Sequence, residues 1–548
     1  MFKKCFKTLS SLEKVFIDKI PVAEEFKSAA ILKNQRFSFQ IAYTGLDLWE
    51  RQEFSFEIKS ELSEFITARK TGYVPSEMPL WADVRDDYIL NEGKPGLYPD
   101  PLYPLDKNIV VAKKDMFDSL WITLDTDGKA PAGTYTIEVV FTHGEDVCTK
   151  KVTVEILDAM LPEQSLMFTQ WFYGDCIASY YNIDVFSEKH WDYLDKFIAT
   201  AARNGINMLL TPIFTPPLDT VIGGERPTIQ LVDVKCDNGK YSFNFDKLGR
   251  WFDICLKNGI KYFEMAHLFT QWGALNCPKI MAEVNGEYKR IFGWDTSSVG
   301  EEYRTFLSEF LPALTGYIES RSLKDVTYFH ISDEPHVDQI EMYLEAKKGA
   351  EKYLEGYNII DALSGVEFFK TGVIKMPVPA LKVTEEFIEA GMNPRWTYYC
   401  CGQNDKLSNR FFAYPSWRTA ILGTQMFKYD ISGFLQWGYN FYYSEHSKFK
   451  INPYLTTDAD RAFPSGDAFS VYPGDGCCIE SLRIVVFHEG IQDMRALEFL
   501  AGYIGRDAVN AIIDEVAGTN LTFEDYPAGS YFLLALRRRV AQEIKKYI

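Results

Sequence analysis

Val326-Thr327-Tyr328-Phe329-His330-Ile331-Ser332-Asp333-Glu334-Pro335-His336 is the stretch on which the fold turns. An apolar run reads as a buried strand, ends in two adjacent acids, and is stopped by a proline. A helical stretch follows from Val337 to about Tyr353. Two acids at the carboxyl end of a strand, just before a helix, is where barrel enzymes keep their chemistry. Paired carboxylates also suit glycoside hydrolysis. Strand parity puts Tyr328, His330, Ser332 and Glu334 on one face and Phe329, Ile331 and Asp333 on the other. Glu334 then faces the barrel mouth, and Asp333 joins it only if the chain bends at the strand end. The bland alternative is that both acids begin the next helix, where negative charge suits the dipole.

Working outward, alternation of strands and helices continues on both sides. Eight strands are expected at Leu166–Phe172, Asn207–Ile213, Tyr262–Leu268, Val326–Ser332, Ile359–Leu363, Met376–Ala380, Arg395–Cys401 and Gly433–Asn440. Amphipathic stretches such as Lys189–Arg203, Lys247–Lys257 and Glu301–Ser320 lie between them. Eight such units fit a (β/α)8 TIM barrel, and no G-x-G-x-x-G follows any strand to favour a doubly wound sheet. Two insertions follow the second and third strands. Thr228–Asp246 carries Asp237-Asn238-Gly239 and predicts a hairpin, and 270–299 reads as a long loop.

Upstream the pattern is all-β. Phe37–Tyr43, Leu120–Leu124, Thr134–Phe141 and Lys151–Ile156 are rich in β-branched and aromatic residues, with turn chemistry between them. The fold expected is therefore a multidomain α/β plus β protein: a β-sandwich over 1–160, a barrel over 161–445, and a mainly helical extension over 446–548. The basic residues of the tail, Arg537-Arg538-Arg539 and Lys545-Lys546, read as a solvated helix face.

With 548 residues the chain is too long for one core. Its formal charge of −18 argues against nucleic acid or an anionic membrane as partner. No apolar run reaches the length of a membrane span, and the N-terminal residues lack the apolar core of a signal peptide, so a cytoplasmic location is expected. The ten cysteines include the pairs Cys400-Cys401 and Cys477-Cys478 and no C-x-x-C; they read as reduced, buried thiols. Neither they nor the histidines show metal-ligand spacing, so no metal and no cofactor are expected. His330 and His336 read as pocket or core histidines. Aromatics make up 15% of the chain, which provides faces for sugar rings.

With the acids and domains placed, the chain resembles glycoside hydrolase family 123 and the related domain-of-unknown-function family 4091. The motifs are Asp333-Glu334-Pro335; Gly433-Phe-Leu-Gln-Trp437-Gly-Tyr439-Asn440; Tyr472-Pro-Gly474-Asp475-Gly476; Glu480-Ser-Leu-Arg483; and Glu489-Gly-Ile-Gln-Asp493. The resemblance implies exo-hydrolysis of terminal β-linked N-acetylgalactosamine with the substrate's acetamide as nucleophile. Glu334, with longer reach and inward parity, is then the general acid/base, and Asp333 orients the acetamide. Tyr398 or Tyr399 is placed to hydrogen-bond the acetamide oxygen, with Tyr398 favoured, and Trp437 to stack under the sugar. Asn440, Trp171, His267 and Trp272 lie near strand ends as further candidate contacts. Two other readings stand beside this one. One is a hydrolase of a different glycan, pairing Asp333 or Glu334 with a distant carboxylate such as Asp295 or Glu264. The other is a carbohydrate-binding protein without turnover.

Overall fold

The computed structural model describes residues 2–84, 86 and 88–548. The strands from Phe6 to Leu157 form two five-stranded sheets. One runs Phe6–Ser10, Phe37–Tyr43, Asp118–Leu124, Ile66–Ser76, Gly96–Pro104, and the other Ser28–Leu32, Asp146–Leu157, Gly133–His143, Gln52–Lys59, Ile109–Ala112. Phe6, Phe39 and Ile41 of the first share one apolar core with Phe54, Phe141 and Val154 of the second. Alternation of apolar and polar residues along Gly133–His143 and Asp146–Leu157 leaves one face of that pair in solvent.

Eight parallel strands follow, here numbered β1 (Met167–Gln170), β2 (Met208–Thr211), β3 (Tyr262–Met265), β4 (Thr327–Phe329), β5 (Asn358–Leu363), β6 (Met376–Pro379), β7 (Trp396–Tyr399) and β8 (Gly433–Gln436). Their spatial order is β6-β5-β4-β3-β2-β1-β8-β7. A parallel bridge from Ala380 to Tyr398 joins the two outer strands, so the sheet nearly closes, an arrangement that fits a (β/α)8 barrel. Each strand leads to a helix, and each strand falls inside the segment expected for it except β5, which begins one residue earlier, at Asn358. The helix after β4 is shorter than expected at its start: Val337–Gln339 is a 3-10 turn, and the α-helix runs Ile340–Glu351.

Helix Ser416–Lys428, after β7, and helix Leu482–Ile504, after β8, meet on glycines. A Cβ at Gly423 would lie 1.8 Å from the Gly490 carbonyl oxygen, and one at Gly490 would lie 2.4 Å from that of Ala420. Both positions therefore exclude larger residues.

The hairpin expected after β2 forms from Asp233–Asp237 and Lys240–Asn244, with Tyr241 and Phe243 packed on Phe306 of the helix Glu301–Ser320. The stretch 270–299, read as a loop, holds a second hairpin, Ile280–Val284 and Glu287–Phe292. Its turn is Asn285-Gly286, with φ 48° and 88°, the positive values a two-residue hairpin turn requires. The dipeptide was present in the sequence, but the polar run Glu287-Tyr288-Lys289-Arg290 hid the strand. The two hairpins join through parallel pairing of Lys235 with Glu283 and Cys236 with Val284 into one four-stranded sheet.

The late motifs tie the N-terminal sheets to the barrel. Arg483 donates to Asp100 from Nε (2.8 Å) and Nη2 (2.9 Å), and Tyr472 also donates to Asp100. Glu480 meets Arg69 and accepts from Asn204 (2.7 Å). Gln492 accepts the Arg36 N–H (2.7 Å) and donates to its carbonyl (2.9 Å). The tail helix Ser530–Ile544 does not carry a wholly solvated basic face. Arg537 turns inward to Asp493 and Glu489, because two buried acids need a counter-charge. Among the described residues no helix is long and apolar enough to cross a membrane.

Arg483→Met leaves Asp100 buried without its counter-ion, and the expected loss is about 3–5 kcal/mol, the scale of breaking one side of a buried ion pair. Adding Asp100→Asn should recover part of it. Denaturant unfolding followed by tryptophan fluorescence checks both.

Candidate active site

β4 ends at Phe329, and the chain from His330 to His336 leaves strand geometry. The bend falls at Glu334, whose φ of 41° is left-handed, an unusual conformation for a residue preceding proline. Asp333 and Glu334 both stand half-buried at the strand end, neither of them in the next helix. His336 is exposed rather than lining a pocket or core. It begins the 3-10 turn, where its N–H donates to Gln339 Oε1 (2.9 Å).

The acids are held from two sides. Tyr398, inward-facing at the end of β7, donates its hydroxyl to Glu334 Oε1. Tyr399 points the other way and packs on Phe434 and Phe487. Trp272, in the loop after β3, donates its N–H to the Asp333 carbonyl (2.9 Å), and its own carbonyl accepts from Gln339 (3.0 Å). Its ring stands edge-on to His446 at 5.8 Å and is 36% exposed, enough to offer a face at the mouth. His446 approaches Asp219 (3.6 Å), a carboxylate from the loop after β2 that burial pushes up to about 6. Burial and the neighbouring Glu334 charge push Asp333 well above the usual carboxylate range; His330 pulls it back, while Asp361 and Asp219 add to the rise.

Beneath the pair lies a buried array. His330 Nε2 donates to Glu264 (2.5 Å) and Nδ1 to Asp361 (3.3 Å). Glu264 also accepts from Thr169 (2.7 Å) and from the Trp171 indole (2.7 Å). Asp361 also accepts from the Ile331 N–H (3.0 Å) and the Tyr343 hydroxyl. Because both ring nitrogens face acceptors, His330 is an imidazolium. Burial alone would lower its pKa, but hydrogen bonds to Asp361 and Glu264 raise it to about 9. His267 stacks on His330 at 4.2 Å, and burial holds it neutral.

The other candidates are engaged elsewhere. Trp437 is half-buried, donates to Asp467 (2.9 Å) and meets Phe441 and Phe463. Asn440 is fully buried, and its amide accepts the Tyr173 N–H (2.8 Å) and donates to the Tyr173 carbonyl (3.0 Å). Asp295, just beyond the second hairpin, pairs with Arg290 in an exposed ion pair. Glu264 is saturated within the buried array. A cavity of about 700 Å³ between the N-terminal sheets and the tail helix is lined by Glu489, Asp493 and Arg537 and by neither acid. Among the described residues one group converges closely enough for a metal ion: His267, His330 and Asp361, with ligand atoms within 4.8 Å. His330 donates from both nitrogens, so it has no lone pair to give, and the set reads as a hydrogen-bonded charge array.

Sequence reasoning missed Asp361 and Asp219. A lone acid inside the apolar run Ile359-Ile360-Asp361-Ala362-Leu363 was a usable signal, and Glu264 in Tyr262-Phe263-Glu264-Met265 was a second. Asp219 had none.

The profile described as the Glycoside hydrolase 123 catalytic domain matches residues 171–500, more than half of the chain and including both acids and Tyr398. The chain belongs to glycoside hydrolase family 123. Among solved structures it is similar to a family 123 glycoside hydrolase from Clostridium perfringens, described for glycolipid glycan hydrolysis. The TM-score is 0.74 and the identity 15%, over 99% of this chain and 98% of that one, which shows a shared fold. Weaker likenesses include an endo-β-1,4-mannanase from Thermotoga petrophila (12% identity, 62% of this chain and 78% of that one, TM-score 0.34). Another is a Thermobacillus composti GH10 xylanase (13%, 60% and 97%, TM-score 0.31). No curated protein matches the chain. The protein is a glycosidase acting on glycan substrates.

The folded His330 pKa of about 9 lies above its ordinary value of 6.5. Its stabilisation is thus fully present below pH 6.5 and lost as pH rises through 9. The gap in unfolding free energy between wild type and His330→Gln should shrink by up to about 3 kcal/mol over that window, as denaturant titrations at stepped pH would show.

Proposed function

We propose that the enzyme removes terminal β-linked N-acetylgalactosamine, or a related 2-acetamido sugar, from a glycan by retaining, substrate-assisted catalysis. The observation carrying this reading is the pair Asp333 and Glu334, adjacent at the end of β4 with the Tyr398 hydroxyl donating to Glu334, in a family 123 chain. This is one of the exceptions to the ordinary two-carboxylate scheme.

Burial and the neighbouring Glu334 favour the protonated form of Asp333, and the Tyr398 hydroxyl donates to Glu334. A bound acetamide N–H favours Asp333 as an acceptor, so the proton moves to Glu334. Glu334 then protonates the glycosidic oxygen as the C1–O bond breaks. The acetamide oxygen attacks C1 and closes a five-membered ring, and Asp333 takes up the positive charge that develops on nitrogen. Water, deprotonated by Glu334, next attacks C1 and reopens that ring. Two displacements at C1 retain configuration. Trp272, with its exposed indole at the mouth, is the wall we assign to the sugar beyond the cleaved bond.

Glu334→Gln should abolish cleavage of substrates with poor leaving groups and spare part of the activity on an activated aryl glycoside, because only the former depend on protonation. Equal loss on both would argue against an acid role.

Asp333→Asn should slow 2-acetamido substrates by roughly two to four powers of ten, the scale for removing one positioned group, with little change in ground-state binding. NMR of the first-formed product should show retention, and a thiazoline mimic of the bicyclic intermediate should bind more tightly than the free sugar. Inversion, or equally fast cleavage of a 2-hydroxyl substrate, overturns substrate assistance.

A further inference from the structure

Three loops that follow barrel strands at their carboxyl ends bring one side chain each to a common place. Asp219 comes after β2, Trp272 after β3 and His446 after β8. All three have left-handed backbone, with φ of 41°, 58° and 53°, as Glu334 has at 41°. That conformation is uncommon outside glycine, is an outlier for a side chain as bulky as tryptophan, and gathers at functional sites. Hydrogen bonds hold the loops in it. The Leu268 and Phe269 N–H groups donate to the carbonyls of His330 (3.2 Å) and Ile331 (3.1 Å). Ser332 Oγ donates to the Thr270 carbonyl (2.9 Å), and the Trp272 N–H donates to that of Asp333 (2.9 Å). Gln271 accepts the Asp219 N–H (2.7 Å) and donates to the Thr220 carbonyl (3.2 Å). Ser447 donates to the Asp219 carbonyl (2.7 Å), and the Val221 N–H to that of His446 (3.0 Å). An unbroken series of contacts thus runs from Asp333 itself to all three residues.

Their side chains are less committed than their backbones. Trp272 is 36% exposed and the His446 side chain 31%. The two rings stand at 5.8 Å and 89°. His446 Nδ1 lies 3.6 Å from Asp219 Oδ1, too far for a hydrogen bond. Among the described residues neither His446 Nδ1 nor Asp219 Oδ2 has a hydrogen-bond partner. An open indole face beside a carboxylate and an imidazole suits a pyranose, whose C–H face packs on the indole and whose hydroxyls donate and accept at once. A hydroxyl placed between Asp219 and His446, with the imidazole turned slightly aside, completes the bonds that the pair leaves unmade. Carboxylates flank His446 on both sides, Asp219 at 3.6 Å and Glu445 at 3.8 Å, so a neutral sugar fits better than an anionic one.

We propose that Trp272, Asp219 and His446 form the subsite for the leaving-group sugar, a neutral hexopyranose with free hydroxyls, and make the enzyme select a glycan over a simple glycoside. The proposal rests on Asp333 and Glu334 as the cleaving pair and gives the wall assigned to Trp272 its polar partners. The terminal sugar occupies the strand end beside the acids, so the exposed indole one loop further out meets the sugar that follows it.

The test uses the full chain, the variants Trp272→Ala, Trp272→Tyr and Asp219→Asn, and two substrates with the same terminal sugar. One is β-N-acetylgalactosaminyl-galactose. The other is trifluoroethyl β-N-acetylgalactosaminide, whose leaving group has neither ring nor hydroxyl. Trp272→Ala and Asp219→Asn should lower kcat/KM for the disaccharide by about ten- to a hundredfold more than for the trifluoroethyl glycoside, mainly through KM, the scale of one lost stacking or hydrogen-bonding contact. Trp272→Tyr should recover most of the stacking loss. Equal falls on both substrates are what a disturbed Asp333 backbone gives, and they overturn the proposal. So does a fall in kcat for the disaccharide with KM unchanged. If Trp272→Ala does not fold, Asp219→Asn decides on the same ratio. If wild type cleaves only 2-hydroxyl glycosides, the proposed function fails, and the same two leaving groups on that sugar still decide the subsite.

Discussion

The structure depends on carboxylates that are buried with their counter-charges already in place. Glu480 is the clearest case. Burial alone would push its carboxyl up, but Arg69 and Arg36 hold it below the usual range, and Asn204 satisfies the other oxygen. Asp100 with Arg483, and Asp493 with Arg537, repeat the solution. These contacts lie where the N-terminal sheets, the last barrel helix and the tail helix converge. Apolar surfaces alone would pack there in many registers, whereas a buried guanidinium has a partner in only one of them. We therefore read the ion pairs as fixing how the parts dock, with apolar burial providing most of the stability.

The same rule explains the floor of the mouth. Glu264 and Asp361 are tolerated inside the barrel because His330 is charged between them, and His330 is charged because they are there. The array carries one net negative charge, two carboxylates against one imidazolium. The acid pair itself is met from the side by the Tyr398 hydroxyl.

Much of this was legible in the sequence. The period of strands and helices located all eight barrel strands, because β-branched runs bounded by turns have few other solutions. Strand parity required one of Tyr398 and Tyr399 to face inward without choosing between them, and the hydrogen bond to Glu334 makes it Tyr398; parity also turned His330 toward the barrel interior. What stayed hidden depends on contacts distant in the chain. Nothing about Asn440 announces that its amide clamps the Tyr173 backbone, or about Arg537 that it reaches back to Asp493. The Asp-Glu-Pro bend was expected from Pro335, but the strain falls one residue earlier, on Glu334. The late motifs Glu480–Arg483 and Glu489–Asp493, which carry the family resemblance, hold domains together and stand apart from the acid pair.

The four-stranded sheet binds the insertion after β2 to the insertion after β3 through backbone hydrogen bonds that no side-chain change can replace. Lengthening or trimming either insertion strips the other of its neighbour and opens an unpaired edge. Diversification of what enters this barrel is therefore constrained to paired events, with both insertions exchanged together as a single cassette. For an engineer the unit of loop grafting here is the whole sheet from Asp233 to Phe292, together with β3 and the helix it encloses.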